Sequence, residues 1–375
     1  MKIKNYILLS TLFIALFYSC SKDRMEYAPK PDLKTKATEI TVPVNGKFEF
    51  EANNTNSDSF TQEWKLDDKV VSTANTYNFV PVLAGDYVLV YTATNNAGTF
   101  VYTYKISVPV PVIATSPTSS KFISAILEYA PAPGQHINQL TIGSPEQAQK
   151  LVGSITNSVS LGGFGGYIIF SFDHSVVNQT GTDLAIYGNP IGLPYAFAEP
   201  GIVMVSRDKN GNGKADDEWF ELAGSEYAKT TTIKNYEITY TNPKAFVAVP
   251  WTDNQGGSGF VNNSSRSRNF YPLFAKNQET ITFKGTLLPS TLSTSGLVTN
   301  SAFDWGYTDS YSLGDDYKTN QYNGFDISWA VDATGKKVVL HTVDFIKVYT
   351  AQNVNASFLG EISTDVKGAV DLNIK

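Results

Sequence analysis

Apolar and polar residues alternate along most of the chain. The runs Ile40-Val42-Val44, Tyr87-Leu89-Tyr91 and Tyr236-Ile238-Tyr240 have a period of two, which places successive side chains on opposite faces of a β-strand. Turn formers such as Asn45-Gly46 separate the runs. A helical pattern is confined to residues 144–151, where Ser144 is suited to cap the first turn. The pattern therefore predicts an all-β protein.

Two polar stretches rich in Pro, Ser and Thr divide the chain. Such stretches act as extended or semi-rigid connectors between folded parts. The predicted organisation is a signal peptide at 1–19, a tether at 20–37, a first domain at 38–110, a linker at 111–120 and a second domain at 121–375. Each domain is long enough to bury a core of its own.

The chain start has the three parts of a bacterial export signal. Lys2 and Lys4 are followed by an apolar run at 7–17, which is too short to span a bilayer, and then by Cys20. This arrangement resembles the lipobox of bacterial lipoproteins, which implies lipidation of Cys20. The charged segment 21–26 resembles the tag of surface-exposed Bacteroidota lipoproteins and implies an outer-membrane protein facing the cell exterior. The alternative is an ordinary secretory signal with an incidental cysteine.

Composition narrows the class of function. Aromatic residues make up 13% of the chain and charged residues 17%, and the formal net charge is −6. No basic cluster is present, which argues against a nucleic-acid partner. A single cysteine excludes an internal disulfide. The three histidines are far apart in sequence and no Gly-x-Ser-x-Gly motif occurs, so we expect no enzymatic activity.

The segment 38–110 resembles a PKD domain. The resemblance is carried by Glu63-Trp64-Lys65-Leu66-Asp67-Asp68, by Ala84-Gly85-Asp86-Tyr87-Val88 and by the run at 92–98. It implies an immunoglobulin-like sandwich that serves as a spacer. Trp64 would be the buried core tryptophan of this fold, and Tyr87 would occupy the tyrosine-corner position.

The second domain resembles the galactose-binding-like jelly rolls of bacterial surface proteins. The matching segments include residues 160–167, 172–174, 183–189 and 325–332. Together with the first domain, they resemble the PKD-containing surface lipoproteins of gut Bacteroidota. Proteins of that set accompany outer-membrane uptake systems for glycans or corrinoids, so the resemblance implies a transporter partner and a ligand of one of these classes.

The segment 208–218 has the spacing of a calcium loop. Oxygen-bearing side chains stand at loop positions 1, 3, 5 and 9, and Gly213 stands at position 6, where such loops turn sharply. The predicted ligands are Asp208, Asn210, Asn212, the backbone carbonyl of Lys214, and Asp216, with Asp217 or Glu218 as alternatives for the last position. The other interpretation is a hairpin rich in Asn and Gly that binds no metal.

Aromatic and polar loops supply the candidate ligand contacts. Flat aromatic faces beside hydrogen-bonding groups suit sugars or a large planar cofactor. The predicted contacts are Trp251, Asp253, Asn254, Arg266, Arg268, Trp305 and Tyr307. The alternative is that the tryptophans belong to the core. Two functions follow: capture of a glycan or corrinoid for uptake, or adhesion to a macromolecular partner. A pocket lined by Trp251, Trp305 or Tyr307 would favour capture, and a flat apolar patch would favour adhesion.

Overall fold

The computed structural model describes residues 25–56, 58–263, 265 and 267–375. These residues form two compact units. The first contains residues 25–42, 46–80 and 86–107, and the second contains 43–45, 81–85 and 108–375. Strands dominate both units, which confirms the predicted all-β class. The predicted signal peptide, Cys20 and Arg266 lie outside the described residues.

The first unit consists of two sheets. One sheet has the strand order β1-β3-β6 and the other β2-β8-β7-β4-β5. The pairing of β2 with β8 is parallel. The strands are β1 Pro31–Leu33, β2 Glu39–Thr41, β3 Phe48–Asn54, β4 Thr61–Leu66, β5 Lys69–Ser72, β6 Thr76–Phe79, β7 Gly85–Asn95 and β8 Gly98–Val108.

Aromatic side chains fill the space between these two sheets. Trp64 on β4 is fully buried, and its ring centroid lies 6.0 Å from that of Phe50 on β3 and 4.5 Å from that of Tyr91 on β7. The indole Nε1 donates to the carbonyl of Ala74 at 3.0 Å, which satisfies the polar atom that burial removes from water. The predicted sandwich with Trp64 in its core is therefore confirmed. Tyr87 is only partly buried and packs its ring against Phe79.

Part of the predicted tether belongs to the first sandwich. Residues 31–33 form β1 and pair with β3, and the Tyr104 hydroxyl donates to the carbonyl of Thr35 at 2.9 Å. Backbone hydrogen bonds to a strand and a buried tyrosine fix this segment in place. The prediction of a tether is therefore wrong for residues 31–35. Pairing with β3 and the hydrogen bond from Tyr104, both distant in sequence, hold them in place.

The second unit is larger and carries short helices as well as strands. Residues 145–149 form α1, and the Ser144 hydroxyl accepts the backbone N–H of Gln147 at 3.2 Å, as the sequence predicts. A further helix, α2, spans Tyr317–Asn320. The strands are β9 Ala125–Ala130, β10 Val159–Ser160, β11 Tyr167–Val177, β12 Leu184–Tyr187, β13 Gly201–Ser206, β14 Trp219–Leu222, β15 Ile233–Thr241, β16 Val249–Asp253, β17 Ser258–Val261, β18 Thr280–Leu287, β19 Leu292–Ser293, β20 Thr299–Asn300, β21 Asn323–Phe325, β22 Ala330–Val331, β23 Thr342–Thr350, β24 Asp365–Val366 and β25 Gly368–Asp371.

A six-stranded sheet lies at the centre of the second unit. Its strand order is β22-β14-β13-β23-β11-β9. One face, with Phe170 and Ile346, packs against the three-stranded sheet β21-β12-β25. The opposite face, with Tyr349, packs against the four-stranded sheet β17-β16-β15-β18 through Tyr240 and Phe283. The central sheet is thus buried on two faces, and the four-stranded sheet adds a layer that the sequence did not predict.

Candidate functional site

An open cleft of about 740 Å³ lies in the second unit, between the central sheet and the four-stranded sheet. A volume of this size is typical of small-molecule sites. The side chains that line it include Trp219, Glu221, Tyr227, Lys234, Glu237, Lys284, Thr286 and Asp332. The rings of Trp219 and Tyr227 and several hydrogen-bonding groups therefore share one concave surface.

Strand alternation on β14 delivers two of these side chains. Phe220 and Leu222 are buried in the core between the central and three-stranded sheets. Successive side chains of a strand point to opposite faces, so Trp219 and Glu221 face the other way, toward the cleft. The sequence Trp219-Phe220-Glu221-Leu222 thus builds the core with one set of positions and the site with the other.

A β-bulge places Lys234. Along the pairing of β15 with β18, Ile233 lies opposite Leu287 and Tyr236 lies opposite Gly285, so β15 carries one extra residue. Asn235, inside this irregularity, has a φ of 54°, a left-handed conformation that asparagine tolerates better than most residues. A bulge redirects side chains relative to regular pairing. Lys234 thereby lines the cleft beside the end of the core.

Lys234 is an unusual cation. Its Nζ is buried, has no hydrogen-bond partner among the described residues, and lies 2.9 Å from the ring centroid of Tyr227. The aromatic face attracts the ammonium but supplies no acceptor lone pair. Burial lowers the pKa of Lys234 to about 8, and the more distant Glu221 carboxylate opposes this shift. The side chain is therefore still mostly charged at neutral pH.

The remaining charged groups of the cleft are engaged. The Thr286 hydroxyl donates to the Glu221 carboxylate at 2.6 Å, and burial raises the pKa of Glu221. Lys284 and Glu237 form an ion pair at 2.6 Å. Asp332 accepts the Thr334 hydroxyl and the N–H groups of its own turn, which lowers its pKa. Lys234 is thus the charged side chain of the cleft that has no direct polar contact among the described residues.

The loop between β13 and β14 folds around the carboxylate of Asp208. The carboxylate of Asp208 accepts the N–H groups of Asn212 at 3.0 Å and Gly213 at 2.8 Å, and Gly213 has a φ of 72°. The Asn210 and Asn212 side chains both lie within 3.3 Å of the Asp216 carboxylate. These four side chains converge inside one turn of the loop.

The structure separates the three alternatives for the last ligand position. Asp216 points into the loop, toward Asn210 and Asn212. Asp217 accepts the backbone N–H of Lys209 at 3.1 Å, and Glu218 pairs with the Lys209 ammonium at 3.1 Å. Asp216 is therefore the best-placed carboxylate. Within the described part of the chain, no three His, Cys, Asp or Glu side chains are grouped to hold a metal, so any cation here would need the two asparagine oxygens.

The structure does not bring the predicted aromatic contacts together. Trp251 on β16 lines a separate cavity of about 60 Å³, which is too small for a sugar ring by comparison with known ligand sites. Trp305 is partly buried, with its ring centroid 4.7 Å from that of Trp329. Tyr307 is 2% exposed, and its hydroxyl accepts the N–H of Glu226. Tyr307 is therefore a core residue, and the prediction that it faces a ligand is wrong.

The predicted polar contacts have structural partners. Asp253 accepts the Tyr236 hydroxyl and the N–H of Gly257, and so closes the β16–β17 turn. Asn254 accepts the N–H of Glu237 and donates to the carbonyl of Asn235, which braces the bulge of β15. Arg268 is exposed, and its Nε lies 3.3 Å from the Ser265 hydroxyl. None of these three residues lines the cleft.

Sequence reasoning missed the residues that do line the cleft. The alternation at 219–222, directly after a loop with cation spacing, was a usable signal for Trp219 and Glu221. Lys234 carried no such signal, because its position depends on a bulge and on strands distant in sequence. Across the described ranges, no helix is both long and apolar enough to cross a membrane.

No protein-family model matches the chain, and no curated protein matches it. Among solved structures, a quinonprotein alcohol dehydrogenase-like protein from Bacteroides thetaiotaomicron aligns at a TM-score of 0.21 and 10% identity over 64% of this chain, which spans 51% of that protein. A SusE-like protein aligns at 0.20 and 10% identity, covering 91% of this chain and 96% of its own. Carbohydrate-binding modules of the β-sandwich superfamily align at 0.18 and 12% identity, covering 93% and 98%. Likenesses at such TM-scores establish neither a shared fold nor a shared function.

Proposed function

We propose that the second unit is a non-catalytic carbohydrate-binding module and that the cleft beside β14 is its site. The observation that carries the proposal is the combination, in one open cleft of about 740 Å³, of the Trp219 and Tyr227 side chains with Glu221 and Lys234. Sugars present C–H groups on their ring faces and hydroxyl groups at their edges. An aromatic ring packs against the faces, while a carboxylate and an ammonium hydrogen-bond the hydroxyls.

A panel of oligosaccharides titrated calorimetrically into the mature protein tests this proposal. At least one glycan is expected to bind saturably, and Trp219→Ala is expected to weaken its binding at least about tenfold, the loss expected for one well-packed aromatic contact. Trp305→Ala is the matched control, because Trp305 is a partly buried tryptophan that does not line the cleft. Binding of a corrinoid in place of every glycan, or equal effects of both variants, would overturn the proposal.

Binding without turnover is part of the same proposal. Glycoside cleavage uses a pair of carboxyl groups that flank the scissile bond. Of the cleft carboxyl groups, Glu237 is paired with Lys284, Asp332 accepts the N–H groups of its turn, and Glu221 accepts the Thr286 hydroxyl. The bound glycan is therefore expected to be recovered intact after prolonged incubation, and the appearance of shorter products in chromatography would contradict a purely binding role.

We also propose that the mature protein is a lipoprotein anchored through Cys20 in the outer membrane and facing the cell exterior. The three-part chain start and its cysteine support this placement. An outer-membrane transporter is the partner that a surface ligand-binding protein of this kind would serve. Radiolabelled palmitate incorporation into the wild type but not into Cys20→Ala tests the anchor. Co-purification of the transporter after cross-linking tests the partner.

The β13–β14 loop is proposed to bind calcium in a structural role. Asp208, Asn210, Asn212 and Asp216 would supply side-chain oxygens in a loop that turns sharply at Gly213, and Lys214 would add its carbonyl. The amide nitrogens of Asn210 and Asn212 face Asp216, so both amides would turn over to offer their oxygens to the ion. A bound ion would draw these oxygens together and hold the ends of the loop. Trp219 is the first residue of β14 and directly follows the loop. Ordering the loop would therefore steady the aromatic side of the cleft.

Adhesion to a macromolecular partner is the second candidate function. It is favoured by an apolar surface of the second unit where Leu193 is 88% exposed and Leu313 is 86% exposed, both lining a cavity of about 650 Å³. Exposed apolar patches of this kind commonly mark interaction surfaces. The double variant Leu193→Ser/Leu313→Ser distinguishes the two functions: adhesion requires loss of surface attachment in this variant, whereas glycan capture requires unchanged glycan affinity.

A further inference from the structure

We infer that the cleft selects sugars that carry an anionic group, a uronic carboxylate or a sulfate ester, and that Lys234 is the residue that contacts this group. The inference rests on the proposed glycan-binding function and names the ligand class within it. It follows from the one charged side chain of the cleft that has no hydrogen-bond partner among the described residues.

Without a ligand, the position of the buried Lys234 ammonium is energetically unfavourable. A buried ammonium without an acceptor loses hydration and gains little in return, so proteins normally pair such groups. Lys234 has the face of Tyr227 at 2.9 Å and no acceptor for its three N–H bonds. The bulge in β15, braced by Asn254, holds its backbone beside the cleft. A ligand oxygen with negative charge is the missing partner.

The Lys234 ammonium can reach a ligand in the cleft. Lysine has a flexible four-carbon stem, so its ammonium can turn from the Tyr227 ring toward a ligand while the backbone stays fixed. The ring keeps the ammonium at the cleft wall through a cation–π contact that is weaker than a charge-assisted hydrogen bond. Exchange of one contact for the other on ligand binding is therefore favourable.

Four other charged side chains line the same cleft as Lys234. Glu221 comes from β14, Glu237 from β15, Lys284 from β18 and Asp332 from the turn after β22. Glu237 is paired with Lys284, and Asp332 accepts N–H groups of its own turn. Burial raises the pKa of Glu221, and the Thr286 hydroxyl donates to its carboxylate. Lys234 is therefore the cleft cation that has no hydrogen-bond partner among the described residues.

The test compares three oligosaccharides of matched length: an oligogalacturonate, a neutral galacto-oligosaccharide and a sulfated galacto-oligosaccharide. Calorimetric titration of the mature protein is expected to show at least about tenfold tighter binding of a charged sugar than of the neutral one, within the range of a charge-assisted hydrogen bond. The carboxylate and sulfate arms identify which anion the cleft takes. Equal affinity for all three would overturn the inference but leave the glycan-binding proposal intact. Binding of none would overturn both.

Variants assign the preference to Lys234. Lys234→Met retains the length of the side chain without the charge, and is expected to reduce the preference for the charged sugar to less than about threefold while neutral binding persists. Lys234→Arg is expected to retain the preference. Lys244→Met is the matched control, because Lys244 is an exposed lysine of the second unit that pairs with Glu279 and does not line the cleft. Retention of the preference in Lys234→Met, or its loss in Lys244→Met alone, would contradict the assignment.

The pH dependence of sugar affinity distinguishes a lysine that contacts the ligand from one that only supports the fold. The pKa of Lys234 is about 8 because of burial, so affinity for the charged sugar is expected to fall as pH rises above about 8, while neutral binding stays constant. The fall must disappear in Lys234→Met. Thermal melting of the same variants checks that each remains folded; a parallel fall for the neutral sugar would attribute the pH effect to the fold and contradict the inference.

Discussion

Several carboxyl groups lie inside the second unit close to one another. Asp309, Asp365 and Glu361 are 1%, 5% and 8% exposed, and each accepts hydrogen bonds mainly from neutral groups. Burial raises the pKa of Glu361 to about 7 and that of Asp365 to about 6, and it raises the pKa of Asp309 well above the usual range. One oxygen of Glu361 has no hydrogen-bond partner among the described residues. The folded protein therefore holds protons that the unfolded chain releases.

This arrangement predicts an uncommon pH dependence of stability. Because the folded pKa of Glu361 is higher than the unfolded one, its contribution is fully present below the unfolded pKa and is lost as pH rises through about 7. Urea unfolding is expected to show lower stability at about pH 8 than at about pH 5. Glu361→Gln keeps the acceptor for Gln135 without the titration, so it should be more stable than the wild type at about pH 8, by roughly 1–3 kcal/mol. A wild-type profile that rises between these pH values would contradict the assignment.

At the scale of elements, the bulge in β15 changes the strand register between the core residues and the cleft residue Lys234. Regular alternation would continue the core-facing series of Tyr236, Ile238 and Tyr240 to Lys234, and the extra residue changes this register. Asn254 satisfies one N–H and one carbonyl of β15 at the bulge. Asn254, which the sequence predicted to contact a ligand, thus supports β15, the strand that carries Lys234.

Asn254→Ala tests this brace. Two backbone hydrogen bonds of β15 lose their partner, each worth about 0.5–1.5 kcal/mol, so the bulge should loosen and glycan affinity should fall by several-fold while the protein stays folded. Calorimetric titration measures the affinity. Gln255→Ala changes the neighbouring turn residue, which is exposed and whose side chain donates to the Asn254 side chain, and it is expected to leave affinity unchanged. Equal losses in both variants would mean that the turn as a whole matters.

Calcium binding by the β13–β14 loop is expected to stabilise the protein. About 10 mM calcium is expected to raise the melting temperature by a few degrees, since a site with a Kd of ~10⁻⁴–10⁻³ M stabilises by roughly 1–3 kcal/mol at that concentration. Asp208→Ala and Asp216→Ala should abolish the rise. Glu218→Gln should retain it, because Glu218 faces Lys209 and not the loop interior. A melting temperature that is the same with calcium and with chelator would remove the metal from this loop.

At the scale of the whole molecule, the two units have separate cores and the cleft belongs to the second. Trp219, Tyr227 and Lys234 all come from residues after 108. A chain that begins at residue 108 lacks residues 43–45 and 81–85 of the second unit but keeps every residue that lines the cleft, so it is expected to bind the same glycan with the Kd of the mature protein. Calorimetric titration of both forms checks this expectation, and a binding-competent fragment 25–107 would contradict it.

The sequence by itself determined the strand-rich class, the cap at Ser144 and the turn at Gly213. Each of these depends on local periodicity or on residue types within a few positions, and local backbone sterics and hydrogen bonding decide them. The burial of Trp64 was implied only by the resemblance to a PKD domain. It could not determine that residues 31–33 join the first sandwich, that the central sheet is covered on two faces, or that Tyr307 is buried. Those features depend on pairings between segments many residues apart. The cleft is the clearest case, because Trp219, Lys234 and Asp332 meet only where three chain segments pack, and only the tertiary structure decided which charge was left without a partner.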